Sequence, residues 1–178
     1  MRRNVLLLLI SGFCIVAAGC SNDTSSIDSA QSKSGGATST NIPKVVVASW
    51  NGSLQDASKT DICALDAVNG QKAVNGSFEV TANQPVTFEG WVSTSDMHNP
   101  GSLSIVLRGA NNFGMESNTG IERSDVAQAY KTSDLMNAGY KAELSALSIP
   151  TGSYSVFLIH EEKGAKFACD PKLSVTVK

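Results

Sequence analysis

From Pro43 to the C-terminus, short apolar runs are separated by residues that make turns. That pattern confines this part of the chain to an all-β domain. About eight strands are expected. Val45–Trp50 and Ile62–Asp66 come first, then Phe78, Val80 and Ala82 alternate with Glu79 and Thr81, and Val86–Val92 follows Asn83-Gln84-Pro85. Leu103, Ile105 and Leu107 share one face of the next strand, and Tyr140, Ala142 and Leu144 share one face of another. Tyr154–Ile159 and the alternating Leu173, Val175 and Val177 complete the set. Asn69-Gly70, Asn75-Gly76, Asn99-Pro100-Gly101 and Pro150-Thr151-Gly152 supply the backbone conformations that the connections require. One segment departs from this pattern. Ser124–Tyr130 offers a capping serine, an acid in the first turn and good helix formers, which predicts one short helix. Ser133–Ala138 adds a further turn that Gly139 would stop. No internal repeat and no second linker divide residues 44–178, so they are read as one domain.

The N-terminus follows different rules. Met1-Arg2-Arg3-Asn4 is a short basic start, and Val5–Val16 is an apolar run broken only by Ser11 and Gly12, too short for a permanent membrane span. The run ends in Ala17-Ala18-Gly19-Cys20, which resembles the lipobox of bacterial lipoproteins, although the position three before the cysteine is more often leucine. The resemblance implies a signal peptide over 1–19 and a mature chain that begins at Cys20, with a diacylglycerol thioether on sulfur and a third acyl chain on the new amine. Each buried methylene contributes about 0.8 kcal/mol, so several chains hold far more firmly than one. An ordinary secretory signal cut near Ala18 and an uncleaved anchor are the alternatives. Ser21 follows the cysteine, and resemblance to enterobacterial lipoproteins, where Asp at that position favours retention in the inner membrane, implies transfer to the outer membrane. Residues 20–43 are almost wholly small and polar, a composition that cannot offset the entropy of ordering. They read as a tether of about 25 Å root-mean-square reach.

Four cysteines are present. Cys14 leaves with the signal and Cys20 takes lipid, so the exported domain keeps Cys63 and Cys169, a pair expected to form one disulfide. A zinc pair with His98 and His160, or a redox couple, is the alternative, but no recognisable metal spacing and no Cys-x-x-Cys is present. Removing residues 1–19 takes Arg2 and Arg3 and no acid, leaving 12 basic against 16 acidic side chains and a charge of −4. No basic run survives, which argues against a nucleic-acid partner.

Leu147-Ser148-Ile149-Pro150-Thr151-Gly152-Ser153-Tyr154-Ser155-Val156 resembles the strand-turn-strand corner of many immunoglobulin-like sandwiches. With Gly90-Trp91-Val92, Arg123-Ser124-Asp125-Val126-Ala127 and Gly139-Tyr140, residues 85–178 are similar to an immunoglobulin-like β-sandwich module of bacterial envelope proteins. That resemblance implies a binding or scaffolding role without catalysis, and a fold by itself transfers no function.

No motif with an attached mechanism is present: no nucleophile elbow, phosphate loop, metalloprotease helix or calcium loop. No enzyme activity, cofactor or metal is expected. His160-Glu161-Glu162 with Asp96 or His98 holds metal-ligating or acid-base residue types, but neighbouring strand residues point to opposite faces and a solvated hairpin end accounts for the tripeptide. Trp91 and Trp50 are the side chains best suited to stack on a sugar ring, with core packing as the plain alternative. Trp91 is expected to face away from Val86, Phe88 and Val92. Arg123 is a candidate anion contact or an ion-pair partner of Asp125 or Glu122, the ion pair being favoured. The expected partners are the membrane, through lipid, and envelope proteins or, alternatively, a glycan; an envelope hydrolase is the third reading.

Overall fold

The computed structural model describes residues 46–178. The signal peptide over 1–19, Cys20 and the tether expected up to 43 lie outside the described residues. The described chain is all-β with one short helix. Its elements are β1 (Ala48–Ser49), β2 (Ser58–Thr60), β3 (Cys63–Val68), β4 (Ser77–Val80), β5 (Val86–Val92), β6 (Ser102–Arg108) and β7 (Asn112–Ile121). Then follow α1 (Ser124–Tyr130), a single 3-10 turn (Ser133–Leu135), β8 (Gly139–Leu144), β9 (Gly152–Glu162), β10 (Ala165–Cys169) and β11 (Ser174–Val177).

Eleven strands stand where about eight were expected. The strands added are β2, β7 and β10. In β7, residues such as Asn112, Glu116, Ser117 and Asn118 dilute the apolar alternation to Phe113 and Met115, and β2 is only three residues long. All eleven join in one sheet, with the path β2-β10-β9-β6-β7-β8-β5-β3, β1 added beside β7, and β11 lying between β9 and β4. The pivot of this path is β7. Its residues 112–118 pair with β6, while Thr119 and Ile121 pair with β8 across an irregularity at Gly120. Gly120 has φ +134°, a conformation that only glycine adopts without strain, so the strand can change partners there.

The curl directs one face of both arms into a common core. Leu65 and Phe88 come from one arm and Leu103, Ile105, Leu107 and Leu158 from the other, with Tyr140 buried among them. Each such side chain contributes about 1.5–3 kcal/mol when fully buried. The predicted Cys63–Cys169 disulfide is present and spans 106 residues, with Cα atoms 6.3 Å apart. It links β3, at one end of the sheet path, to β10, next to the other end. The Leu147–Val156 corner is fixed by the Tyr154 hydroxyl, which donates to the Pro150 carbonyl at 2.8 Å.

The helix forms where the sequence places it, but its cap differs. Arg123 occupies the capping position and makes no side-chain capping bond, while its carbonyl accepts from the Ala127 N–H. Ser124 is already the first helical residue. Lys131, in the left-handed conformation, closes the other end. Gly139 does not stop a helix; it opens β8. A Cβ there would lie 2.7 Å from the Ile121 carbonyl oxygen, so glycine serves the close approach of β7 and β8.

Candidate functional site

Strand alternation gives the sheet a second, outer face. On β6, Leu103, Ile105 and Leu107 point into the core, and Ser102, Ser104 and Val106 point out. Register then aligns outer residues of four strands. Glu116 of β7 lies opposite Ser104, Ser104 opposite Ile159 of β9, and Ile159 opposite Ala168 of β10. One step along, Glu161 of β9 lies opposite Lys166 of β10. Val106, Ile159 and Ala168 form a small apolar cluster on this face, covered by Trp50, Leu54 and Ala57 of the segment preceding β2.

Trp50 is held in place from several sides. Its backbone N–H donates to the Asn112 carbonyl at 2.9 Å, continuing the pairing of β1 with β7. Beneath the indole is Gly114, where an added Cβ would sit 2.8 Å from Trp50 Cδ1; at Gly52 an added Cβ would sit 2.5 Å from Cζ2. Real Cβ atoms do not occupy such positions, so both glycines are conditions for this placement. Next to the partly buried indole is a cleft of about 330 Å³, lined by Ser102, Ser104, Glu116, Ile159, Glu161 and Lys166. That volume is at the small end of ligand sites.

The carboxylates here are arranged unlike those elsewhere on the sheet. Among strand carboxylates, Asp66, Glu79, Glu89, Glu143 and Glu162 each take part in an ion pair. Glu116 and Glu161 form none among the described residues, and neither does Lys166. Glu116 accepts one hydrogen bond, from Ser104 Oγ at 2.7 Å. The cleft therefore presents hydroxyls, carboxylates and an ammonium group beside an indole.

The other candidates resolve differently. Trp91 does lie opposite Phe88 and Val92 in the alternation, but it is only 9% exposed. The helix and the 3-10 turn cover that face, so Trp91 packs with Val126, Leu135 and Ala138 and meets Tyr130 edge-on at 5.5 Å. The ring faces away from Val86, Phe88 and Val92 as expected, and the core-packing alternative holds because a connection between strands lies over that side. Arg123 is ion-paired as favoured, with Asp125 at 2.8 Å and also with Asp66 at 2.7 Å, a partner from β3 that sequence separation had concealed. The hydrogen bond to Asp125, then that to Asp66, raises the guanidinium above its ordinary pKa.

The His160, Glu161 and Glu162 side chains diverge. His160 and Glu161 both border the cleft, but alternation sends Glu161 to the outer face of the strand and turns the His160 ring to the other face, where it stacks on Phe167 at 5.6 Å and 13°. His160 is 2% exposed and neither ring nitrogen has a hydrogen-bond partner. Burial pushes its pKa down, against a smaller upward pull from Glu162. Glu162 instead ties the hairpin to the β5–β6 loop by accepting from the Ser95 N–H at 2.9 Å and Ser95 Oγ at 2.8 Å, which holds its carboxyl below the usual range. Asp96 accepts from Thr94 Oγ1 at 2.7 Å and from Lys163 at 3.2 Å, and these bonds lower it to about 2. His98 sits between Asp96 and Asp134, 3.3 Å from each. These groups are engaged in pinning a loop, and no cluster of three or more His, Cys, Asp or Glu placed to hold a metal occurs among the described residues.

Sequence reasoning identified Trp50 but missed Glu116, Ser104, Glu161 and Lys166 as its neighbours. Their outward orientation is readable from alternation; their assembly depends on register between strands distant in sequence. No family model matches this chain, and no curated protein matches its sequence.

Proposed function

We propose that this protein is a lipid-anchored, non-enzymatic binding module of a bacterial envelope, with the cleft beside Trp50 as its binding surface. The lipobox-like Ala17-Ala18-Gly19-Cys20 supports acylation at Cys20 and, with Ser21, a periplasm-facing place on the outer membrane. The polar stretch up to residue 43 would hold the domain at a root-mean-square distance of about 25 Å from the lipid. The Tyr154–Pro150 hydrogen bond is of the kind found at tyrosine corners, which favours an immunoglobulin-like sandwich as the scaffold.

The observation that carries the binding reading is the pairing pattern of the strand carboxylates. Where a carboxylate serves the fold here it is ion-paired, and Glu116 and Glu161, which are not, line the same cleft beside a positioned indole. Polar groups grouped in a concavity and left to solvent are available to a ligand.

The test is photocrosslinking in cells that produce the full chain, with a benzophenone amino acid at Ser104 in the cleft or at exposed Lys72 outside it. A discrete adduct of protein or glycan at Ser104, absent at Lys72, is expected. Equal labelling at both positions, or none at Ser104, would overturn the assignment of this surface. Radiolabelled palmitate entering the wild type and not Cys20→Ala tests the anchor.

A further inference from the structure

We infer that the ligand of the Trp50 cleft is a neutral saccharide chain, seated with the apolar face of a pyranose ring on the indole. The inference rests on the cleft being the binding surface and specifies what that surface recognises.

A pyranose ring combines an apolar C–H face with a rim of hydroxyls, each of which can both donate and accept. The cleft offers the complement of both parts. Trp50 lines the cleft with part of a partly buried indole, an amphipathic group that Gly114 and Gly52 fix before any ligand arrives. Little ordering cost then falls on binding, the usual benefit of a preformed site. Around it stand acceptors at Glu116 and Glu161, a donor at Lys166, a hydroxyl at Ser102 that acts in either sense, and the Ser104 oxygen, whose proton goes to Glu116, as a further acceptor. Glu116 has already accepted one hydrogen bond from Ser104, which orients its carboxylate as a planar hydrogen-bonding group.

Two other ligand types fit less well. A protein side-chain anchor would favour an apolar pocket, whereas this lining is mostly charged or hydroxylated. A ligand ammonium group would find an indole and two carboxylates, as cation recognition uses, but it would share the cleft with Lys166, which stands opposite Glu161 in the β9–β10 register. A neutral polyol meets no such repulsion and can use the lysine as a donor.

The experiment is calorimetric titration of the mature full chain, in detergent, with tetra- to hexasaccharides of β-linked glucose, β-linked N-acetylglucosamine and α-linked glucose. Tetramethylammonium and a lysine-rich peptide serve as cationic comparisons. At least one oligosaccharide is expected to bind, with Trp50→Ala and the near-isosteric Glu116→Gln each weakening it by about tenfold or more and Trp91→Phe leaving it within about twofold. Should Trp50→Ala fail to fold, Glu116→Gln alone decides. Binding of no oligosaccharide, binding only of the cations, or sugar affinity unchanged in Glu116→Gln would each overturn the inference. If Ser104 is crosslinked in cells while no oligosaccharide binds, the cleft stands as the binding surface and only the saccharide assignment falls.

Discussion

Removal of the Cys63–Cys169 bridge by the double substitution Cys63→Ala, Cys169→Ala frees a loop of 106 residues in the denatured chain. In the loop-closure treatment the denatured state regains about 16 cal/mol/K, or about 4.8 kcal/mol at 25 °C. Because Cys169 is fully buried, losing the sulfur atoms adds on the order of 1 kcal/mol from packing. Reduction of the wild-type chain isolates the first contribution from the second. The assay is urea unfolding of the oxidised wild type, the reduced wild type and the double variant. With an m-value of about 2 kcal/mol/M, the entropic part alone moves the midpoint by about 2.4 M. Since the bridge acts on the denatured ensemble, m should also rise as that ensemble expands without its cross-link. A loss below about 1.5 kcal/mol in reduced wild type, with m unchanged, would refute the reasoning. It would mean that the denatured chain keeps β3 and β10 close without a covalent link, or that strain in the native bridge cancels the gain.

Three further outcomes are expected. His160 is buried with a lowered pKa, so below its ordinary value of about 6.5 the unfolded chain takes up a proton that the folded chain excludes. Stability should be full above that pH and decline as pH falls below it, and His160→Leu should flatten the slope of urea midpoint against pH between about 6.5 and 5. Trp91→Ala should cost about 3–5 kcal/mol in the same unfolding assay, as expected for a large side chain covered by the helix. Gly114→Val should displace the Trp50 ring, because the new Cβ would lie 2.8 Å from Cδ1. Its cost should be about 1–3 kcal/mol, with a red-shifted Trp50 emission measured in the Trp91→Phe background.

Features carried by local pattern were readable before the structure. Leu103, Ile105 and Leu107, and likewise Tyr140, Ala142 and Leu144, declare one buried face by alternation, and the Ser124–Tyr130 helix stands out by composition. The disulfide followed from counting the cysteines that lie beyond the expected signal peptide and lipidation site. What could not be read was lateral. The β7 strand carries too few apolar residues to announce itself, and without it neither the pivot at Gly120 nor the placement of Glu116 beside Ser104 can be reached. The burial of Trp91 has the same origin, since alternation tells which side of a strand a residue takes but not what lies over that side. Sequence proximity offers Arg123 both Asp125 and Glu122, of which Asp125 forms the pair, and its distant partner, Asp66, is 57 positions away in sequence.

The position of the last strand sets an order of events. β11, residues 174–177, lies between β9 and β4 and runs parallel to β4 from Ser77 to Val80. The segment that completes the ladder for β4 is therefore synthesised almost a hundred residues after it. A chain emerging N-terminus first, from a ribosome or through a membrane pore, holds β4 without its β11 neighbour until residues 174–177 are free. This ladder is completed only after residue 177 has arrived, and a change that removes or alters residues 174–177 acts directly on that step.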